Sequence, residues 1–362
     1  MALKWTEGFE LYQGADWLTD NYGSLSLPGV SFGDGRLLSG WQGKCLVHQN
    51  VTSGYLRTFS FGTTEEWFIG LWLDATYSAS TVDLIEYRSA AGVNLFRIRV
   101  ARRSATQFRF EFLEQSTLRA NSIDLDYVSS TGYYVTASLT LNPPGGLAQC
   151  DLYYRVGGTL SLGFVDQLIP SLDTLPAMIG IGFGSGSATE TFKIDDIYIC
   201  DGNGTNNNSR NTSEFAIEGL LPNGNGATTE WDGVQSGNPA ANHGGLLDDP
   251  ASAADHDADE SYIVTEEDNE IDLLAYAPLA YITGGIKGIR VNTIARLETA
   301  ESKDLEIRYR NVVGLGTALA THAISSTSYT SWNDIVEEEP FSIAGWTVSK
   351  INNAQFGVKS LT

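Results

Sequence analysis

Carboxylates are the side chains whose spacing most invites chemistry in this chain. Asp255, Asp257 and Asp259, with Glu266 further on, take positions 1, 3, 5 and 12 of a calcium-loop register. A hard cation favours oxygen ligands, so calcium is one expectation for this run. Position 6 is Glu260 instead of Gly, and no helical pattern flanks the loop. A solvated acidic loop is therefore the commoner reading, and no other cofactor is expected. Asp195-Asp196 divides the same way, between a cation pair and an edge bulge carrying solvated acids.

Acid-base hydrolysis of a glycosidic bond needs two carboxylates flanking it. The one-strand spacing Glu-X-Asp-X-X-Glu is absent, Glu111 stands alone on its strand, and Glu65-Glu66 sit at a strand entrance. Nucleophilic catalysis needs a Ser or Cys beside a His and a carboxylate. The four histidines, His48, His243, His256 and His322, lie near no Gly-X-Ser-X-Gly turn. The Gly180-to-Gly186 run is glycine-dense, but no helix follows it to aim amides at a phosphate. No catalytic residue is assigned, and the sequence expectation is a protein that is not an enzyme. Aromatic contact is the remaining chemistry. Trp67 and Trp72 belong to a core-like strand, whereas Trp231 and Trp332 lie in polar surroundings and are the candidates for a glycan or protein interface.

The elements that must position these groups are strands. Phe96, Ile98 and Val100 alternate with Arg97 and Arg99, and Phe108, Phe110 and Phe112 alternate with Arg109 and Glu111. That spacing predicts a hairpin with one wet face and one aromatic face. Glu66 to Leu73 is apolar on both faces, as an inner strand would be. In Phe192-Lys193-Ile194-Asp195-Asp196-Ile197-Tyr198-Ile199-Cys200 the apolar phase slips by one residue, which predicts a β-bulge at the Asp pair. Gly is abundant at 38 of 362 residues and charged residues are 18%, which suits turns and strands better than helix bundles. Trp332 to Pro340 reads as the one short helix, stopped by its proline.

Three regions follow. Residues 1–200 read as an antiparallel β-sandwich (jelly roll), residues 201–260 as a polar linker and extended arm, and residues 261–362 as a smaller β-rich assembly domain. The expected fold class is all-β. Twenty-two Lys and Arg against 44 Asp and Glu give a net charge of −22, which disfavours nucleic acid and anionic lipid as partners. The start, Met1-Ala2-Leu3-Lys4-Trp5, carries no secretory signal pattern, and no apolar run reaches membrane-spanning length. Synthesis in a cytoplasm without membrane insertion is expected. Cys45, Cys150 and Cys200 sit among strand residues and read as buried thiols.

The run Phe192 to Gly202, preceded by Ile179-Gly180-Ile181-Gly182-Phe183, resembles the end of a concanavalin A-like (laminin G-like) lectin/glucanase sandwich. The blocks that follow are Phe215 to Pro222, Thr228 to Trp231, Asp257 to Ile263, Ile271 to Leu274 and Ala354 to Ser360. In this order they resemble tailed-bacteriophage structural or tail proteins. The resemblance implies a virion component, a homo-oligomer (trimer or ring) with other virion proteins as partners, and no inherited catalytic residues. The alternative is a carbohydrate-binding adhesin that recognises a host surface glycan.

Overall fold

The computed structural model describes residues 3–8, 24–26, 30–38, 41–49, 53–58, 60–77, 81–126, 132–141, 148–156, 159–168, 174–184, 191–209, 215–247, 259–299, 301–314, 316–342 and 344–362. The chain is all-β and forms two compact units, which divide between Ile217 and Glu218. The stretch expected as linker and arm is thus shared between them.

In the first unit the described strands are β1 (Leu3–Glu7), β2 (Ser24–Ser26), β3 (Val30–Leu38), β4 (Trp41–Gln49), β5 (Ser53–Arg57), β6 (Glu66–Tyr77), β7 (Val82–Arg88) and β8 (Asn94–Arg102). They continue with β9 (Gln107–Glu114), β10 (Thr117–Asn121), β11 (Leu125–Asp126), β12 (Tyr133–Thr140), β13 (Ala148–Val156), β14 (Thr159–Leu168), β15 (Met178–Gly184) and β16 (Thr191–Asp201). The first sheet runs β14-β13-β12-β6-β16-β4-β3, with β1 also on β16. The second runs β10-β9-β8-β7-β15-β5-β2, with β11 on β9. Every described pairing is antiparallel.

The alternating phenylalanines close the core as their spacing requires. Phe108, Phe110 and Phe112 are fully buried. They meet the opposite sheet ring to ring, Phe108 on Tyr133 at 5.3 Å, Phe110 on Tyr154 at 6.3 Å and Phe112 on Phe164 at 6.1 Å. Each such side chain contributes on the order of 2–3 kcal/mol by leaving water. All three cysteines are buried free thiols.

The bulge in β16 is present. Ile194 faces Leu73 and Ile199 faces Ile69, so Asp196 and Ile197 together oppose one residue of β6. The extra residue keeps Phe192, Ile194, Ile197 and Ile199 all buried, where an unbroken alternation would turn half of them away. Asp196 takes a left-handed φ of 50°. Its amide donates to Asp195 Oδ1 at 2.8 Å, and its own Oδ1 accepts from the Ile217 amide at 2.8 Å. That bond ties the segment after β16 onto the outside of the first sheet, where Phe215 packs on Tyr198 at 5.0 Å. Tyr198 lies in turn over Gly70, where a Cβ would come within 2.0 Å of its ring. The centre of this outer face is covered: Phe68, Trp72, Tyr134 and Tyr198, on β6, β12 and β16, are all buried.

The second unit holds β17 (Pro222–Thr229), β18 (Asp232–Gln235), β19 (Asn238–Ala240), β20 (Ser261–Val264), β21 (Ile271–Tyr276), β22 (Ile289–Ala295), β23 (Lys303–Arg310), β24 (Gly316–Ile324), β25 (Thr330–Val336), β26 (Glu338–Glu339), β27 (Ala344–Gly345) and β28 (Gln355–Leu361). Its main sheet is β17-β21-β28-β23-β24, and β22-β25 form a separate ribbon. Trp346, Tyr309, Ile351 and Phe356 make one core cluster. The helix expected at 332–340 is instead the end of strand β25, paired along its whole length with β22 and placing Trp332 on the core, followed by the short strand β26. The helix lies later, at Val348–Asn352, where the Thr347 side chain accepts from the Lys350 amide.

Candidate functional site

Charged side chains gather on the outer face of the second sheet. On the second sheet Arg97 and Arg99 project outward from β8, as their alternation with buried Phe96, Ile98 and Val100 demands. Asp83 faces Arg99 and Glu86 faces Arg97 across the β7–β8 ladder. Three residues apart, Asp83 and Glu86 would point to opposite sides of a regular strand. A bulge between Asp83 and Ile85 absorbs one residue, buries Leu84 and Ile85 together, and turns both carboxylates outward.

The result is a lattice of carboxylates and guanidinium groups. Asp83 accepts from Arg97 Nη1 at 2.7 Å on one oxygen and from Arg99 Nε at 3.0 Å on the other. Glu86 accepts from Arg88 Nε at 2.8 Å and from Asn94 Nδ2 at 2.9 Å, while Arg88 reaches the Gly92 carbonyl at 2.8 Å. Arg109 grips one oxygen of Glu111 through Nε at 2.8 Å and Nη2 at 2.6 Å. Gly180 lies opposite Glu86, and a Cβ there would sit 2.9 Å from the carboxylate oxygen, so the glycine leaves this pair its room. Asp83, Glu86, Arg88 and Glu111 are at most 9% exposed, whereas the Arg97, Arg99 and Arg109 side chains keep about a fifth of their surface. Among the described residues, the Arg99 Nη groups and the second Glu111 oxygen carry no protein hydrogen bond and lie on facing residues of β8 and β9.

The residues singled out from sequence are elsewhere. Trp231 and Trp332 do come together, against one cluster of Leu305, Ile307 and Ile324. Trp231 donates from Nε1 to the Glu270 carbonyl at 3.1 Å, and Trp332 stacks on His322 at 5.1 Å, whose Nε2 meets Asp334 at 2.8 Å. Both indoles are half-buried parts of the second core. Of the calcium-loop residues, Asp255 and Asp257 lie outside the described residues. Asp259 accepts from Arg296 at 2.7 Å and from the Tyr329 hydroxyl at 3.0 Å, and Glu266 is exposed. No cluster of three metal-binding side chains occurs among the described residues. One buried pair was not singled out: His243 Nδ1 sits 2.7 Å from Asp272 Oδ2. Burial pushes the Asp272 carboxyl above its ordinary range, against the pull of that histidine.

No protein-family model matches the chain, and no curated protein matches it. The expected tailed-phage family therefore rests on the sequence blocks alone. Solved structures do match. The carbohydrate esterase vb_24B_21 from Shiga toxin-encoding bacteriophage phi24B is 12% identical, with 55% of this chain and 98% of that chain covered and a TM-score of 0.38. A Bacillus licheniformis β-glucanase is 11% identical over 55% of this chain and 98% of its own, TM-score 0.34. The exoplasmic/lumenal domain of VIP36, solved in Ca²⁺-bound and Ca²⁺/Man2-bound forms, is 10% identical over 55% of this chain and 91% of the first form, TM-score 0.34 in both. These are concanavalin A-like and jelly-roll sandwiches, and at such identities the likeness concerns the fold.

The expectation that the chain is not an enzyme is corrected by these neighbours, which include an esterase and a glucanase. The structure also removes its physical ground. Absence of a one-strand acid motif does not exclude grouped acids, since Asp83, Glu86 and Glu111 share one outer face across two strands.

Proposed function

We propose that the first unit binds carbohydrate, and that the outer face of the second sheet is the sugar-contacting surface. The observation that carries this reading is the lattice of Asp83, Glu86 and Glu111 with Arg88, Arg97, Arg99 and Arg109. A sugar hydroxyl both donates and accepts, so vicinal hydroxyls need acceptors and donors side by side on a rigid support. Carboxylates supply only acceptors and guanidinium groups only donors, each in a planar, two-pronged array. Their mutual bonds fix the rotamers beforehand, which lowers the entropic cost of binding. Arg99 and Glu111 offer the donor and acceptor for the first contact, and bond cleavage on the same surface would draw on these grouped acids.

The test is a glycan array probed with the full chain, with and without EDTA, followed by calorimetry and product analysis on any polysaccharide bound. Saturable binding is expected. Arg99→Gln and Glu111→Gln are each expected to weaken it about tenfold, a loss of about 1.4 kcal/mol, while each variant still melts cooperatively as a folded chain. Loss of binding in EDTA would add calcium to the site, and released sugar would make it an enzyme. Wild-type binding by both variants would refute the surface assignment.

A further inference from the structure

The geometry points to a two-fold homodimer built by antiparallel pairing of strand β14 with its copy. Among the described residues β14 pairs only with β13, so its other edge ends the first sheet. It is long, Thr159–Leu168, with no Lys, Arg or Pro and one charge, Asp166, in a chain of net charge −22. Edge strands are ordinarily guarded by lysine, proline, shortness or a bulge; this one has no lysine or proline and is not short, and its one bulge, at Gly163, sets its register. Leu162 and Val165 are 50% and 46% exposed on it.

The occupant follows from the strand's own register. Leu162 faces Tyr153 and Phe164 faces Leu152, so Gly163 is an inserted bulge residue. The bulge resets the alternation: Leu162 and Val165 both point to the outer face, although three residues apart, while buried Phe164 points to the core. Directly opposite residues of an antiparallel pair share a face. An unbulged strand related to itself by a two-fold axis can satisfy this only with pairs of equal parity. Here an axis between Gly163 and Phe164 pairs Leu162 with the partner's Val165, and Val165 with the partner's Leu162. The two exposed aliphatics thereby cover each other twice, the self-complementarity that an isologous interface demands. Asp166 then faces the partner's Ser161, a hydroxyl, with no like charge opposite. Asp166 is held meanwhile by Arg119 of β10 at 3.5 Å, on the flank where β10 runs beside β14. The first sheets of two copies would join into one continuous sheet, and the pairing would not use the charged face of either second sheet.

Sedimentation velocity of the full chain is expected to show a concentration-dependent dimer. Leu162→Lys is expected to abolish it, whereas Val93→Lys, at an exposed valine of a hairpin turn, is expected to leave it intact. The register has its own test. Opposite residues fall within disulfide reach, and residues displaced by three along the strands do not. Mild oxidation of mixed Leu162→Cys and Val165→Cys chains is expected to yield a covalent dimer, which neither variant forms alone; the native cysteines are buried. A chain that is monomeric at every concentration, a dimer that survives Leu162→Lys, or equal cross-linking by Leu162→Cys alone would each overturn the proposal.

Discussion

Asp83 is the acid on which the charged face turns, and replacing it with alanine tests whether the lattice is a rigid, coupled unit. Its carboxylate takes two charge-assisted bonds, at 2.7 and 3.0 Å, from arginines on one neighbouring strand. A hydrogen bond to a charged group is worth about 1.5–3 kcal/mol net. Both arginines keep about a fifth of their side-chain surface, so water recovers part of what Asp83→Ala removes. Arg97 retains its bond to the Gln115 carbonyl at 3.0 Å. The expected cost is therefore about 2–3 kcal/mol, well short of two full bonds. For a unit of this size that lowers the melting temperature by roughly 4–12 °C. Asp83→Ala and Arg99→Gln remove a shared contact, so a urea double-mutant cycle is expected to show coupling of about 1 kcal/mol or more. The coupling should change little between low and moderate salt, because the acid is buried beyond easy screening. A cycle that closes to within about 0.3 kcal/mol would mean the two side chains act independently. The lattice would then be a decorated surface, and its preorganisation for ligand would fall with it.

Two further expectations concern pH. Glu339 is buried, which by itself would raise its carboxyl, but bonds from Ser342 and the Tyr309 hydroxyl outweigh burial and hold it below the ordinary range. A lowered carboxylate stabilises the fold above its unfolded value, and that contribution is lost as pH falls through the folded value. Glu339→Gln should thus destabilise the second unit by about 1–3 kcal/mol at neutral pH, with the gap to wild type closing in acid, as read by denaturation at several pH values. A constant gap would contradict it. Asp74 behaves in the opposite sense: burial raises its carboxyl, opposed in part by Lys193. What it contributes is present below the ordinary carboxylate value and lost as pH rises through the raised folded value. Asp74→Asn should melt above wild type at neutral pH and match it in acid; a lower melting temperature at neutral pH would refute this.

The strands were legible in the sequence wherever side chains alternate. Phe108, Phe110 and Phe112 announced a core face, Arg97 and Arg99 a wet one, and the slip at Asp195-Asp196 a bulge, because each signal lies within a few residues of chain. The candidate site was half legible by the same rule. Its arginines stood out, but Asp83 and Glu86 did not, since a spacing of three assigns them to opposite faces until the β7 bulge is known. Polar neighbours in sequence made Trp231 and Trp332 look exposed, yet strands remote in the chain bring them onto one apolar cluster. The segment from Trp332 to Pro340 read as a helix because its pairing partner, β22, lies some forty residues earlier.

By itself, then, the sequence determined that this chain is all-β, acidic and built on an aromatic core, since composition and period-two alternation act locally along each strand. Only the tertiary structure decided which acids gather on one outer face and which aromatic residues the segment after β16 packs upon. Those outcomes depend on bulges, register and the docking of Phe215 on Tyr198, contacts between residues that the chain itself keeps apart.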